Sequence, residues 1–418
     1  MSEGQWKRWD AVARLEAGRL TTQEAARVLG LSVRQVRRIR RTVERAGRAG
    51  LRHRNHRQVP VNKLRAAVRQ RILRLRRTKY RDFNDAHFTE KLAQEAPPIV
   101  VAVRTVRRLL RGDGVPAVWR RRPRRHRRRR DRKAQAGLML LWDGSRHDWL
   151  EGRGPWLCLI AAMDDATGAV LPGAHFVEQE CTAGYLRVLR ELVGAHGIPW
   201  SIYMDQHGAL KRNDDHWTLA EELRGAQDPT QVGHALEALG IEAIYALSPQ
   251  AKGRVERLWG TLQDRLVSEL RLAGAATVAE ANAVLARYRV EHNRRFALPA
   301  QDQTPAWRPR RAGVDLDRVC SFRYEATVLK DNTIRLGGMI VDVPPGPRRR
   351  SYADLRVEVR QLLDGSWRVY ADDRVIATAV PTPHRELRAR RWRKRGRGAP
   401  AGVPPPARHV EASVGAVP

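Results

Sequence analysis

Apolar residues recur every three or four positions through the first part of the chain, which is the spacing of amphipathic helices. The pattern predicts helices over residues 5–17 and 21–28, a turn at 29–32, and a third helix from Ser32 to about Gly47. This arrangement is typical of a helix-turn-helix. The side predicted to pack inward consists of Ala25, Ala26, Leu29, Val33, Val36 and Ile39. The side left free to enter a DNA major groove consists of Arg34, Gln35, Arg37, Arg38 and Arg41.

A second, similar cycle follows, with predicted helices at about 62–77, 84–95 and 102–111. The third of these helices begins after Pro97-Pro98 and presents polar residues at helical spacing: Arg104, Thr105, Arg107 and Arg108. We expect two DNA-binding domains, residues 1–56 and 57–114. Phosphate contacts would supply most of their affinity, and a few side chains would read bases.

From Gly137 onward the pattern changes to short apolar runs separated by helical stretches, which is typical of an α/β domain. Strands are predicted at 138–143, 156–163, 169–177, 200–204 and 241–246, with a polar loop over 211–229. Helices are predicted at 182–196, 231–239, 248–266 and 277–292. Together these elements predict a core over 137–312, built on a mixed five-stranded sheet with flanking helices.

The last part of the chain alternates apolar and polar residues in short runs. These runs are 322–329, 332–343, 354–363 and 366–378, and they predict a small β-barrel over 313–381. Residues 382–418 are rich in Arg, Pro and Ala and are expected to be a disordered basic tail. Residues 115–136 are expected to be a linker, because nine of the eleven residues from 120 to 130 are arginine. The chain is therefore expected to be multidomain.

The positive charge is concentrated near the N-terminus. The net charge is +29 over residues 1–136, −3 over 137–312 and +8 over 313–418, which together give the +34 of the whole chain. Such a distribution points to a polyanionic partner, and double-stranded DNA fits better than a membrane surface. No apolar run approaches the roughly 20 residues that span a bilayer, and the first residues lack a signal-peptide core, so a cytoplasmic protein is expected. Three widely spaced cysteines predict neither a disulfide framework nor a zinc site.

Three acidic residues occupy positions suited to metal chemistry. Asp143 and Asp205 each end a predicted strand, and Glu256 lies on a predicted helix that starts at Ser248. The apolar stripe of this helix is formed by Val255, Leu258, Trp259, Leu262 and Leu266. Convergence of the three carboxylates would create an anionic oxygen site suited to Mg²⁺ and to phosphoryl transfer.

Other residues compete for these roles. Asp148 is an alternative first ligand, although only Asp143 directly ends the apolar run. Asp164 and Asp165 are most simply turn residues. His207 is either a proton shuttle or a loop histidine without a catalytic role. Near Glu256, Lys252 and Arg254 are expected to bind DNA phosphate.

Several segments resemble bacterial insertion-sequence transposases of the DDE class, in the group left as not classified yet, which have an integrase-type core. They are Trp142-Asp143-Gly144-Ser145, His147 through Gly154, Tyr203-Met204-Asp205, Thr230 through Leu236, and Ser248 through Leu266. The most specific part is Gly253-Arg254-Val255-Glu256-Arg257 with the residues that follow it. The resemblance covers most of residues 10–310.

The resemblance implies a ribonuclease-H-like fold and a triad of Asp143, Asp205 and Glu256 holding two Mg²⁺ ions, for which Mn²⁺ can substitute. It also implies binding to the terminal inverted repeats of an insertion sequence, strand transfer into target DNA, and a dimer or larger synaptic complex. The alternative is a non-enzymatic, sequence-specific DNA-binding regulator derived from such a transposase.

Overall fold

The computed structural model describes residues 2–52, 63–118, 130–212, 217–246 and 253–384, together with Leu387 and the backbone of 408–410. Four predictions fall largely or wholly outside these residues: the helix start at Ser248, the role of Lys252, the Arg-rich stretch and the basic tail. The chain divides into two compact units, Met1–Arg74 and Leu75–Pro418.

Along the described residues helices come first, strands and helices are mixed from Met139 to Val319, and strands predominate from Phe322; apart from the short helices α8 and α12, this is the order that the sequence pattern indicates. The helices are α1 (Glu3–Glu16), α2 (Thr22–Leu29), α3 (Val33–Ala46), α4 (Ala66–Arg77), α5 (Asp85–Gln94), α6 (Val103–Gly112), α7 (Thr182–His196), α8 (Leu219–Arg224), α9 (Gln231–Ala238), α10 (Val255–Leu272), α11 (Val278–Phe296) and α12 (Leu316–Val319). The strands are β1 (Met139–His147), β2 (Leu157–Asp164), β3 (His175–Val177), β4 (Ser201–Met204), β5 (Glu242–Tyr245), β6 (Phe322–Thr327), β7 (Thr333–Leu336), β8 (Met339–Asp342), β9 (Arg356–Gln361), β10 (Trp367–Ala371), β11 (Arg374–Ala379) and β12 (Arg408–Val410).

The N-terminal unit contains the predicted helix-turn-helix. Thr21 and Ser32 cap α2 and α3 with reciprocal hydrogen bonds to a glutamate and a glutamine three residues later. Gly30 ends α2 in the left-handed conformation at φ 62°, which reverses the chain before α3. The predicted inward side is confirmed for Ala25, Ala26 and Val36, which are buried together with the partly buried Leu15, Leu29, Leu31 and Val33. Ile39 is also partly buried, but it packs in a second cluster with Val12, Val43 and Leu51.

The predicted mixed five-stranded sheet with flanking helices is confirmed. Its strand order is β3-β2-β1-β4-β5. β1, β2 and β3 pair antiparallel, whereas β4 is parallel both to β1 and to β5. Successive residues of β1 face opposite sides, so Leu140 and Trp142 pack with α7 and α9, while Met139 and Leu141 pack with α10 and α11. The sheet is therefore covered on both faces.

Three elements of the core differ from the prediction. The first strand continues past Asp143 to His147 through its pairing with β2, so Asp143 lies within the strand and does not end it. The third strand is short because Pro172-Gly173 interrupts the run; Val170 forms only an isolated bridge with Met163. The predicted polar loop over 211–229 contains α8. The Thr218 side chain and Glu221 cap this helix reciprocally, and Gly225 ends it at φ 70°, signals that the sequence contains.

The C-terminal strands form two sheets of order β11-β10-β9-β6 and β12-β8-β7. Two of the predicted single runs are hairpins instead, because Gly337-Gly338 and Asp372-Asp373 take positive φ angles and reverse the chain. The pairing of the described strands does not show the predicted closed barrel. Buried residues of both sheets share one apolar cluster with α7 and α9, so this region packs directly on the core.

Within the described ranges, no helix is both long enough and apolar enough to cross a bilayer.

α5 is attached to α10 by charged contacts that are largely shielded from water. Glu269 of α10 accepts hydrogen bonds from His87 Nε2 at 2.7 Å and from Lys91 Nζ at 2.8 Å. One turn away, Arg265 of α10 donates to Glu90 at 2.7 Å. α5 and α6 thus belong to the same compact unit as the sheet.

We expect Glu269→Gln to release α5 from α10. Burial alone would raise the pKa of Glu269, but the hydrogen bonds from His87 and Lys91 outweigh burial and hold it below its ordinary value of 4.5. The stabilisation is therefore present at neutral pH and is lost as the pH falls through this lowered pKa. Because Gln leaves Lys91 without its partner charge, the free energy required to open α5 locally should fall by about 3 kcal/mol.

Hydrogen exchange of the α5 amides measures this effect. Protection should fall about 100-fold at pH 7 in the variant, and only the wild-type protein should lose protection steeply in acid. The matched control is Glu44→Gln, which removes an exposed ion pair with Arg40. Equal α5 protection in the wild type and in Glu269→Gln would contradict this account of the contact.

Candidate active site

Asp143 and Asp205 follow the same parallel pairing of two neighbouring strands. Leu141 of β1 lies opposite Tyr203 of β4, where this pairing ends, and continuing the register by two residues would bring Asp143 opposite Asp205. Asp143 is within β1, and Asp205 directly follows β4. Leu141 and Tyr203 both pack with the apolar residues of α10 and α11. Since side chains two residues apart share a face, the two carboxylates belong to the α10 side of the sheet.

A hydrogen bond connects this pair to α10. The indole Nε1 of Trp259 donates to Asp143 Oδ2 at 2.8 Å. Val255, Leu258 and Trp259 are buried against the sheet and fix the first turns of the helix. Glu256 is exposed and lies three residues before Trp259, so both project from the same side of α10. The helix thus carries Glu256 on the side from which Trp259 reaches Asp143.

The structure does not gather all three carboxylates into one cluster. In the part of the chain that it describes, no group of three or more His, Cys, Asp or Glu side chains is placed to hold a metal ion. Asp143 and Asp205 supply the hard oxygen donors that Mg²⁺ prefers. Glu256 is on the correct side of α10, and its side chain must turn inward to join them. The donor chemistry therefore fits a divalent cation.

Asp148, the alternative first ligand, accepts a hydrogen bond from the backbone N–H of Gly152 at 3.1 Å in the turn after β1. Asp164 caps its own turn by accepting from Thr167. The exposed His207 lies beside a further carboxylate, since its Nδ1 is 3.6 Å from Glu180 Oε1.

Glu180 is a further acidic residue next to Asp143. A Cβ atom added to Gly144 would meet the Glu180 carboxylate at 2.8 Å, so Glu180 lies directly against the residue after Asp143. Tyr185 donates a hydrogen bond to Glu180. Burial, followed by the nearby charges of Glu180, Asp143 and Asp205, raises the pKa of Tyr185. No motif singles out Glu180, because its position depends on the packing of the loop before α7 against β1.

Two curated proteins resemble this chain over most of its length. One is the protein y4bF of Sinorhizobium fredii, which bears a transposase name; it is 34% identical over 377 residues, covering 86% of this chain and 79% of the relative. The other is the transposase for insertion sequence IS1202 of Streptococcus pneumoniae, 30% identical over 328 residues, covering 69% and 68%. The chain belongs to the insertion-sequence transposases.

Further comparisons cover parts of the transposase. A family model described as winged helix-turn helix matches residues 8–70. Among solved structures, the catalytic core domain of HTLV-2 integrase in complex with magnesium is 16% identical, covering 36% of this chain and 86% of that chain at a TM-score of 0.25. A simian T-cell lymphotropic virus intasome in complex with PP2A regulatory subunit B56 gamma is 13% identical, covering 77% and 100% at a TM-score of 0.29.

The predicted DNA-contacting residues of the transposase's α3 lie on its exposed side. They are Arg34, Gln35, Arg37, Arg38 and Arg41. Gln35 has a second role, because its side-chain oxygen accepts from the backbone N–H of Ser32 at 2.9 Å and caps α3. Base reading by Gln35 would have to compete with this cap.

The predicted DNA-contacting residues of α6 and of the segment before Glu256 differ in their exposure to solvent. Arg104 and Arg108 of α6 are exposed, Thr105 is half-buried, and Arg107 donates to Asp85 at 3.3 Å. The side chain of Arg254 is only 14% exposed and is bonded to the buried Asp165. Arg254 therefore has a partner within the fold, and its contact with DNA phosphate remains a prediction.

We expect Trp259→Phe to weaken metal binding while preserving the fold. Phenylalanine keeps most of the buried aromatic surface but removes the N–H that orients Asp143. Loss of such an orienting partner costs about 10-fold to 100-fold in metal affinity or activity. A Mn²⁺ titration of the full-length variant, with DNA binding as the control, measures it. Unchanged Mn²⁺ affinity would show that the hydrogen bond does not orient Asp143 for a cation.

Proposed function

We propose that this transposase is a DDE-class enzyme whose core is ribonuclease-H-like and of the integrase type. The observation that carries the proposal is the position of Asp143 in β1 beside the end of β4, which Asp205 directly follows, together with the hydrogen bond that Trp259, on the helix that carries Glu256, donates to Asp143. Membership of the transposase family supports DNA as the substrate. The enzyme would cut at the ends of its insertion sequence and join those ends to target DNA.

Asp143, Asp205 and Glu256 are the residues that would hold divalent magnesium, with two ions expected and manganese as a substitute. When bound, such ions supply charge that stabilises the attacking and leaving oxygens of a phosphoryl transfer. The three carboxylates would fix the positions of the ions and offset part of their positive charge. Trp259 fixes one oxygen of Asp143 so that the carboxylate does not rotate away.

The proposed chemistry has two steps. In the first, the oxygen of water attacks phosphorus at the element end, the P–O3′ bond breaks, and the 3′ oxygen leaves as a hydroxyl. In the second, that 3′ hydroxyl attacks a phosphodiester of target DNA, its proton is lost to solvent, and the target's own 3′ oxygen leaves. No covalent bond between protein and DNA is required.

Recognition of the ends would be supplied by the helical regions before the core. The exposed arginines of α3 are placed to enter a major groove, with Arg104 and Arg108 of α6 as further contacts. Lys252 would bind phosphate near Glu256. The two C-terminal sheets, which we propose form a small barrel-like module, would add non-specific DNA or subunit contacts. Two ends must be held together, so a dimer or larger synaptic complex is proposed.

The test is a nicking assay with the full-length protein and a duplex carrying the element's own end. The expected result is one specific nick that leaves a 3′ hydroxyl in Mg²⁺ or Mn²⁺ and no nick in a chelator. Specific binding without any nick in either metal would instead identify a DNA-binding regulator derived from a transposase. The DNA that flanks this gene supplies the end sequence for the substrate.

A further inference from the structure

Asp165 is fully buried, and donors from two distant parts of the chain converge on its carboxylate. Arg130 Nη2 donates to Oδ1 at 2.6 Å, and Arg254 Nη1 donates to the same oxygen. The backbone N–H of Lys133 donates to Oδ2 at 2.9 Å. The turn after β2 does not require this arrangement, because Asp164 already caps that turn. The Asp165 side chain therefore serves a purpose outside its own turn.

Arg254 links this carboxylate to the start of α10. It is the residue before Val255 and stands two positions before Glu256. Its second terminal nitrogen donates to the backbone oxygen of Arg130. Among the residues that the structure describes, no side chain caps the N-terminus of α10, whereas a threonine caps each of α9 and α11. The Asp165–Arg254 contact holds the residue that directly precedes α10.

Loss of either partner of the buried Asp165–Arg254 ion pair should destabilise the fold around it. Burial alone would raise the pKa of Asp165, but the hydrogen bonds from Lys133, Arg254 and Arg130 outweigh burial and hold it below its ordinary value. The carboxylate is therefore ionised near neutral pH. Breaking a buried pair leaves an uncompensated charge, so the surrounding backbone shifts to let water reach it.

We propose that Asp165 is a positioning residue, which holds Glu256 towards Asp143 and Asp205 by anchoring Arg254. This inference rests on the proposed function, because it takes Glu256 as the third carboxylate of the metal site. It gives Arg254 a role inside the protein. Arg130, which is contiguous with the Arg-rich stretch in the sequence, shares Asp165 but lies on no element that carries a catalytic carboxylate.

The test compares three full-length variants, Asp165→Asn, Arg254→Gln and the matched control Arg130→Gln. The last two remove one guanidinium from the same carboxylate oxygen, but only Arg254 is joined to α10. The readouts are Mn²⁺ affinity by calorimetry without DNA, and hydrogen exchange of the Leu258 amide, which donates to the backbone oxygen of Arg254. Asp165→Asn and Arg254→Gln should weaken Mn²⁺ binding about 10-fold or more and speed exchange at Leu258.

Arg130→Gln should leave both readouts close to wild type, and Arg254→Lys should restore part of what Arg254→Gln loses. The double variant of Asp165→Asn and Arg254→Gln should be no worse than either single one. Wild-type values of both readouts in Arg254→Gln, or equal losses in Arg130→Gln, would overturn the inference. If the wild-type protein bound no Mn²⁺, the proposed function would fail, whereas exchange at Leu258 would still decide whether Asp165 positions α10.

Discussion

Replacing Asp143, Asp205 or Glu256 by its amide is expected to abolish nicking and strand transfer while DNA binding survives. Each change, Asp143→Asn, Asp205→Asn or Glu256→Gln, keeps the shape of the side chain and removes the negative charge that holds a hard cation. Since loss of an outer partner of a metal ligand already costs 10-fold to 100-fold, loss of a ligand should cost more than about 100-fold in the nicking rate. Single-turnover nicking of the end duplex measures the loss.

Binding is expected to persist, and to tighten slightly, because a negative charge near the DNA phosphates has been removed. Residues that act as one unit are not additive, so the double and triple amide variants should be no worse than a single one. The internal control is Asp148→Asn, which should retain activity because its hydrogen bond is made within a turn. An active Glu256→Gln, or a dead Asp148→Asn beside an active Asp143→Asn, would contradict the assignment.

Removing Arg37 and Arg38 together is expected to abolish preference for the element's ends. Both are exposed on α3, whereas the neighbouring Val36 is buried. An arginine that contacts a base contributes about 1–3 kcal/mol, so the double alanine variant should bind the end duplex about 30-fold more weakly or worse. Competition between end duplex and random duplex measures the preference for the end sequence. Repeating it at two salt concentrations measures the salt dependence of binding, which reports the loss of positive charge separately.

The matched control for this variant is the double alanine substitution of Arg8 and Arg27, which are exposed on α1 and α2 of the same unit. It removes the same charge, so non-specific binding and its salt dependence should fall by similar amounts in both variants. Only the Arg37 and Arg38 variant should lose discrimination between sequences. Equal loss of discrimination in the two variants would mean that α3 is not the recognition helix.

Local patterns in the sequence were sufficient to predict the elements that carry the proposed site. The apolar stripe of α10 is buried as its spacing indicates, and the runs that end at Asp143 and Asp205 form neighbouring central strands. The helix-turn-helix could be predicted equally well, because the capping residues and the apolar spacing indicate the same helix boundaries there. Such signals act within a few residues, so they need no knowledge of the fold.

Contacts between distant residues could not be predicted in this way. Asp165 has a complete local explanation as a turn residue, but its partners Arg130 and Arg254 are 35 and 89 positions away. Trp259 belongs to an apolar stripe, and nothing local indicates that its N–H meets Asp143, which is 116 positions earlier. The third strand was predicted too long for a different reason. The apolar residues of 169–177 favour a strand, but Pro172 interrupts it, so that only His175–Val177 is a strand.

The measurement that tests the central claim most directly is anomalous diffraction from crystals of the full-length protein soaked in Mn²⁺. We expect a manganese peak between Asp143 and Asp205, with Glu256 turned inward to coordinate, and no such peak in the Asp143→Asn variant. Manganese bound only elsewhere, or held at this place without either aspartate, would contradict the claim that these three carboxylates form the metal site.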